Sequence, residues 1–437
     1  VRILIFMHLR ALLPILSFVV LFLGSGIYFS LQSEPMAFYK VSAVVCIMFA
    51  LVVSVFLDHG KWSERVGRLY EGLANENTTG IIIIFLLAGG YSAIAKGSGC
   101  MQEVIAMTTH FFSPSYVLCG IFALSCIVGM ALGTSMGVIG LFGPLAVEIA
   151  QGNVDIATWT LGAVVSGAAF GDNLSIISDT SIAAAHTIGV SPRAKFVENL
   201  KVAMCACLLV FVLYLCFDVP EIHYVADMPH NDIVWWRVAP YFLIILTAFL
   251  GVPVPIVLFG SIFLTGLLAV ALSDYTLVGC ASDWQKGMFS MMPITILTFL
   301  LGALQHFVMR QGGIKFLEKK YANPYVAALV IMKMGIIWTV TFANNTVAIL
   351  FSGHSVRKIT EKNDINPAFA ASFLDMFATA TKCIIPHGTQ LLLAGSFMGI
   401  SPLQIMPYCF YSFTLAFSAL LFLPTKNIRC SATTPPS

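Results

Sequence analysis

Apolar stretches long enough to cross a bilayer recur from one end of this chain to the other, among them Ala11–Leu31, Phe38–Leu57, Lys201–Phe217 and Leu403–Leu423. A helix needs roughly 20 such residues to span the hydrocarbon core. Of 437 residues, 58% are hydrophobic and 10% charged, with a mean hydropathy of +0.90, whereas soluble domains carry about a quarter charged residues. The expected fold class is an all-α polytopic membrane protein. Ala11–Leu31 is too long for the apolar core of a signal peptide and no small-residue cleavage site follows it, so it reads as the first span. A net charge of +2, with basic residues scattered among loops, predicts no nucleic-acid partner; the lipid bilayer is the expected one. The eleven cysteines lie mostly in apolar segments without C-x-x-C pairs, which points to packed thiols rather than a disulfide framework.

Polar punctuation predicts spans near 11–31, 38–57, 79–95, 194–217, 238–252, 254–273, 287–309 and 402–423, with broken spans at 155–188 and 367–399. Two more stretches, 115–150 and 324–353, are too long for one straight helix, and each carries a polar break, Gly133-Thr134-Ser135 and Asn344-Asn345-Thr346. If both are re-entrant hairpins, both termini and the basic segments 58–78, 189–201, 310–323 and 354–366 are cytoplasmic, in keeping with the positive-inside rule. Lys40, Lys96, Arg237 and Lys286 remain outside with the acidic connecting loop 218–237, while Lys333 and Lys382 fall at apparent membrane depth. Each half then has about five transmembrane helices plus a hairpin. An odd number of crossings inverts one half relative to the other, so 1–217 and 238–423 are expected to be inverted repeats with broken helices at the midplane. Thr134-Ser135 precedes Asp179 at nearly the distance by which Asn345-Thr346 precedes Gly388.

The densest polar run, Gly-Asp-Asn-Leu-Ser-Ile-Ile-Ser-Asp-Thr-Ser-Ile at 171–182, lies in the first broken span. Charges at membrane depth are costly and mark ion paths or partners, and unwound backbone there must line a cavity or be buried in protein. Asp172, Asn173, Ser175, Ser178, Asp179 and Thr180, with Thr134 and Ser135 from the hairpin, supply the oxygen atoms that hard cations take. Sodium at Asp172 and Asp179 is the expected occupant. Desolvation disfavours a bare carboxylate, so the same group holds either a cation or a proton, which is the simplest basis for exchange. A helix-terminal residue with no ion to bind is the other reading of Asp179.

The second half has no acid in its matching break. Asn344, Asn345, Thr346, Thr389 and Gln390 supply its polar atoms, and Lys382 falls beside the counterparts of Asp172 and Asn173. Seven residues after Asp375, it shares a helix face with that acid, and its ammonium stands where a second cation would bind. Snorkelling to the interface fits Lys382 almost equally and fits Lys333 better. His387, after Pro386, is placed to titrate near neutral pH or to serve as a hydrogen-bonded structural residue.

The run at 171–185, followed by Leu374-Asp375-Met376-Phe377 and by Ile385-Pro386-His387-Gly388-Thr389-Gln390-Leu391-Leu392-Leu393-Ala394, resembles the signature of the NhaC-type sodium/proton antiporters of the ion-transporter superfamily. The resemblance implies a secondary transporter of the bacterial inner membrane that expels sodium in exchange for protons, with no cofactor beyond the transported ions. It carries over Asp172, Asn173, Ser178, Asp179, Thr180, Asp375 and Gln390 as site residues. Lys382, in place of a neutral polar residue, and His387, in place of an aromatic, depart from the pattern and bear on coupling number and pH dependence. The family also moves organic anions and amino acids, so coupled transport of such a solute is the alternative, with Asn344, Asn345, Thr346 and Lys382 receiving a carboxylate. An enzyme is not expected: the chain has no His-Glu-x-x-His motif and no serine-nucleophile elbow. A homodimer is left open.

Overall fold

The expected apolar stretches are mostly helical where they are described, and no strand occurs among the described residues, which in the computed structural model are 2–32, 40–74, 76–111, 116–176, 178–216, 234–250, 252–309, 318–423 and 428. Most of the 218–237 loop lies outside them. The first half runs α1 (Arg2–Leu31), α2 (Ala43–Leu57), α3 (Trp62–Leu73), α4 (Glu76–Gly97), α5 (Cys100–Phe111), α6 (Val117–Leu132), α7 (Ser135–Ala150), α8 (Val154–Leu174), α9 (Asp179–Ile188) and α10 (Pro192–Cys216). The second runs α11 (Trp235–Phe249), α12 (Val254–Leu272), α13 (Leu277–Ser290), α14 (Met292–Met309), α15 (Pro324–Phe342), α16 (Asn345–Lys362), α17 (Pro367–Lys382), α18 (Thr389–Ser396), α19 (Pro402–Ile405) and α20 (Phe410–Phe422). Five helical stretches are long and apolar enough to cross a membrane, or up to seven if two bent pairs each count as one span. This is a multi-pass membrane protein.

Both bends fall where the sequence predicts continuous spans. The chain turns by 45° between α13 and α14, just before Pro293, and by 50° at the 3-10 turn Met406–Tyr408, which contains Pro407. Proline removes a backbone donor and its ring clashes with the preceding turn, so a helix breaks there.

Packing relations repeat in matched pairs, within and between the two halves of the chain. α6 lies along α8, and α15 along α17; α9 packs on α16, and α18 on α7; α3 packs on α14, and α13 on α4. The hairpin tips match in detail. α6 ends at Gly133 (φ 65°, ψ 24°) and α15 at Ala343 (φ 52°, ψ 18°), and the next residues are Thr134 (φ −148°, ψ 123°) and Asn344 (φ −149°, ψ 122°). The left-handed turn suits Gly133 and strains Ala343. α9 and α18 start after Ser178 (φ −66°, ψ 140°) and Gly388 (φ −70°, ψ 140°). The same number of residues separates Thr134 from Ser178 and Asn344 from Gly388.

The stretch from α8 to α9 is the most enclosed: 83% of its apolar window is buried, against 39–44% for the other four spans. Small residues let it sit there. A Cβ on Gly171 would lie 2.4 Å from the Gly129 backbone, and one on Gly167 would lie 2.6 Å from the Phe122 carbonyl oxygen. Close backbone approach at glycines is the usual means of packing helices in a bilayer, and here it seats the residue after Gly171, which is Asp172.

Candidate ion site at the helix breaks

Asp172, in the last turn of α8, is 4% exposed. Its Oδ1 accepts a hydrogen bond from Ser178 Oγ at 2.7 Å, and Ser178 shares another of 2.7 Å with Thr180 Oγ1. Its Oδ2 is held by the ammonium of Lys382, the last residue of α17, which also donates to Ser135 Oγ at 3.0 Å. One carboxylate thus gathers both helix breaks and the tip of the α6–α7 hairpin. Lys382 is fully buried, so its charge is held inside the protein rather than at an interface.

Asp375 pairs with Lys195 of α10, not with Lys382: Lys195 Nζ lies 2.5 Å from Asp375 Oδ2, and both side chains are buried. The same ammonium donates to the carbonyl of Asn173 and to Ser181 Oγ, each at 2.8 Å. Asn199, one turn along α10, donates to the Asn173 carbonyl at 2.9 Å and to its Oδ1 at 2.8 Å, while Asn173 Nδ2 donates to Tyr411 OH at 3.0 Å. Each acid therefore takes its lysine from the other half of the chain. Ions withdrawn from water lose several kcal/mol of hydration each, which only a well-placed partner offsets.

The remaining expected residues are distributed as follows. Ser175 Oγ donates to the Met130 carbonyl at 2.9 Å, fixing the frayed end of α8 against α6. Asp179 opens α9 and is exposed, and Ser178 caps that helix by accepting from Ser181 N at 3.4 Å. Thr134 is half-buried and caps nothing, whereas Asn344 caps α16 through Val347 N at 3.1 Å. Asn345 Nδ2 reaches Thr379 Oγ1 at 3.4 Å, which in turn reaches Asp375 Oδ1 at 3.4 Å; Thr346 is half-buried. His387 Nε2 donates to the Val340 carbonyl at 2.8 Å, with the Phe18 ring edge-on. Thr389 Oγ1 donates to Gln390 Oε1 at 3.2 Å, and both are buried.

Sequence reading missed Lys195 and Asn199, because 189–201 reads as a basic cytoplasmic loop. The available signal was their spacing: residues four apart share a helix face, and here that face carries a lysine and an asparagine into an apolar helix.

Residues 2–219 match the family model described as Na+/H+ antiporter family. The Na+/H+ antiporter NhaC of Bacillus subtilis is 22% identical over 80% of this chain and 84% of its own length. That of Alkalihalophilus pseudofirmus is 22% identical over 90% and 91%. The malate-2H+/Na+-lactate antiporter of Bacillus subtilis is likewise 22% identical, over 88% of this chain and 94% of its own length.

Proposed function

The chain belongs to the Na+/H+ antiporter family, and we propose that it exchanges sodium for protons across a bacterial inner membrane at Asp172. The observation that carries this reading is the contact between Asp172 and Lys382: a buried carboxylate at a helix break, already holding a cation, among the hydroxyls of Ser135, Ser178 and Thr180. Sodium entering here takes the carboxylate oxygen now held by the ammonium. An ammonium deprived of its carboxylate is an uncompensated buried charge, so Lys382 gives up its proton as sodium arrives. The centre carries no net charge in either loaded state, and the unloaded state, with a bare Asp172, is disfavoured. Alternating access follows: the site turns with sodium or with the proton, never with neither. Asp179, exposed at the start of α9, gathers sodium at the approach.

The halves 1–217 and 238–423 act as inverted repeats around this centre, with 115–150 and 324–353 as re-entrant hairpins and both termini cytoplasmic. The matching tip dihedrals and the crosswise packing of α9 on α16 and of α18 on α7 support that division.

A second reading, coupled transport of a small organic anion or amino acid, draws on the two buried ammonium groups and on the relative named for malate and lactate. Lys195 and Lys382 are each already paired with a carboxylate, which favours sodium. Proteoliposomes without organic solute decide the matter. A sodium gradient should drive protons the opposite way with the native chain and not with folded Asp172→Asn. A native chain that moves no protons under these conditions would point to the organic solute.

A further inference from the structure

Lys195 takes no part in the exchange proposed at Asp172, yet its ammonium is held as a metal ion would be. Its three oxygen contacts are Asp375 Oδ2 at 2.5 Å, the Asn173 carbonyl at 2.8 Å and Ser181 Oγ at 2.8 Å. These are a carboxylate, a carbonyl at the end of α8 and a hydroxyl in the first turn of α9, the kinds of oxygen that hard cations take. A further oxygen, Asn199 Oδ1, is buried without a hydrogen-bond partner one helical turn from Lys195. A buried polar atom left unpaired costs free energy, and a cation in the cradle is a natural neighbour for it.

We infer that Lys195 is a tethered cation, seated in a site otherwise competent for a monovalent alkali ion, and that it limits the protein to one transported sodium. The site stands independently of the exchange at Asp172; only the limit on coupling number rests on that reading. The two lysines differ in how many oxygens surround them. The Lys195 ammonium lies against three, Asp375 Oδ2 as an ion pair and the Asn173 carbonyl and Ser181 Oγ as hydrogen bonds, whereas Lys382 meets two, on Asp172 and Ser135. The more fully surrounded ammonium stays, and the other is the one that yields to sodium.

Sodium binding to the purified full chain, counted with radiolabelled sodium against N-methylglucamine, tests this. Lys195→Met should bind one sodium more than the native chain. The double variant Lys195→Met with Asp375→Asn, which lacks both ammonium and carboxylate, should lose that extra ion. Lys195→Met should also melt at a higher temperature in sodium chloride than in N-methylglucamine chloride, by a wider margin than the native chain does. A folded Lys195→Met with the native sodium count would overturn the inference, as would a variant that fails to fold even in high sodium while the double variant folds. A native chain that binds no sodium would count against exchange at Asp172 and leave the difference between variants intact.

Discussion

Around the break from α8 to α9 the chain carries two carboxylates and leaves Asp179 and Ile176 exposed; around the break from α17 to α18 it carries a lysine and a histidine, and every residue from Lys382 to Gln390 is buried or half-buried. One break is acidic and open, the other basic and closed. Neither is stable alone, since a lone buried charge of either sign loses its hydration without compensation. Paired across the halves, Asp172 with Lys382 and Lys195 with Asp375, the charges cancel. The lesson is that the closed break serves the open one. It supplies the cation that holds Asp172, the one that sodium replaces in the proposed exchange.

Breaking a crossed pair is the harshest test of that comparison. Asp375→Ala strands the Lys195 ammonium and should cost about 3–5 kcal/mol in detergent unfolding. Replacing both partners with apolar residues, Lys195→Met and Asp375→Leu, should recover most of it. Equal losses in the single and double variants would show that the pair is not an energetic unit.

Next in size is the seating of the two central helices. Gly171→Ala forces α8 off α6, because its Cβ would lie 2.4 Å from backbone, and overpacking of this kind costs about 1–3 kcal/mol. Gly335→Ala, at the matching crossing of α15 on α17, meets the Leu374 carbonyl only at 3.0 Å and should cost less. Unfolding midpoints of the two variants measure the asymmetry, and the exchange rate should fall with Gly171→Ala first.

The smallest effects belong to the hairpin tips. Gly133→Ala places a side chain in a left-handed turn, at about 1–2 kcal/mol. Ala343→Gly relieves that strain but gains under about 1 kcal/mol, because glycine also loosens the unfolded chain. Opposite signs in thermal unfolding would confirm that the two tips share one conformation.

Much of this was legible in the sequence. A run with Asp172, Asn173, Ser178 and Thr180 in an apolar chain announces a break, and Thr134-Ser135 marks the hairpin that meets it. Polarity at membrane depth is rare enough to be read without coordinates. Pairing was not legible. Lys382 and Asp375 share a helix, which suggests that they meet, but each is satisfied by a residue about two hundred positions away. Lys195 sits near a helix start among other basic residues, where charge tallies count it as a loop cation. Partner choice between distant helices depends on which faces pack together, and no local pattern encodes that. Likewise, the bends before Pro293 and at Pro407 needed the structure to show that the helices turn there instead of merely curving.

The most direct measurement of the central claim is proton release on sodium addition to purified protein in weakly buffered detergent, read with a pH indicator. If sodium and the Lys382 proton compete for Asp172, the native chain releases one proton for each sodium bound, and Asp172→Asn neither binds that sodium nor releases the proton. Sodium bound by the native chain with no proton released would contradict the account.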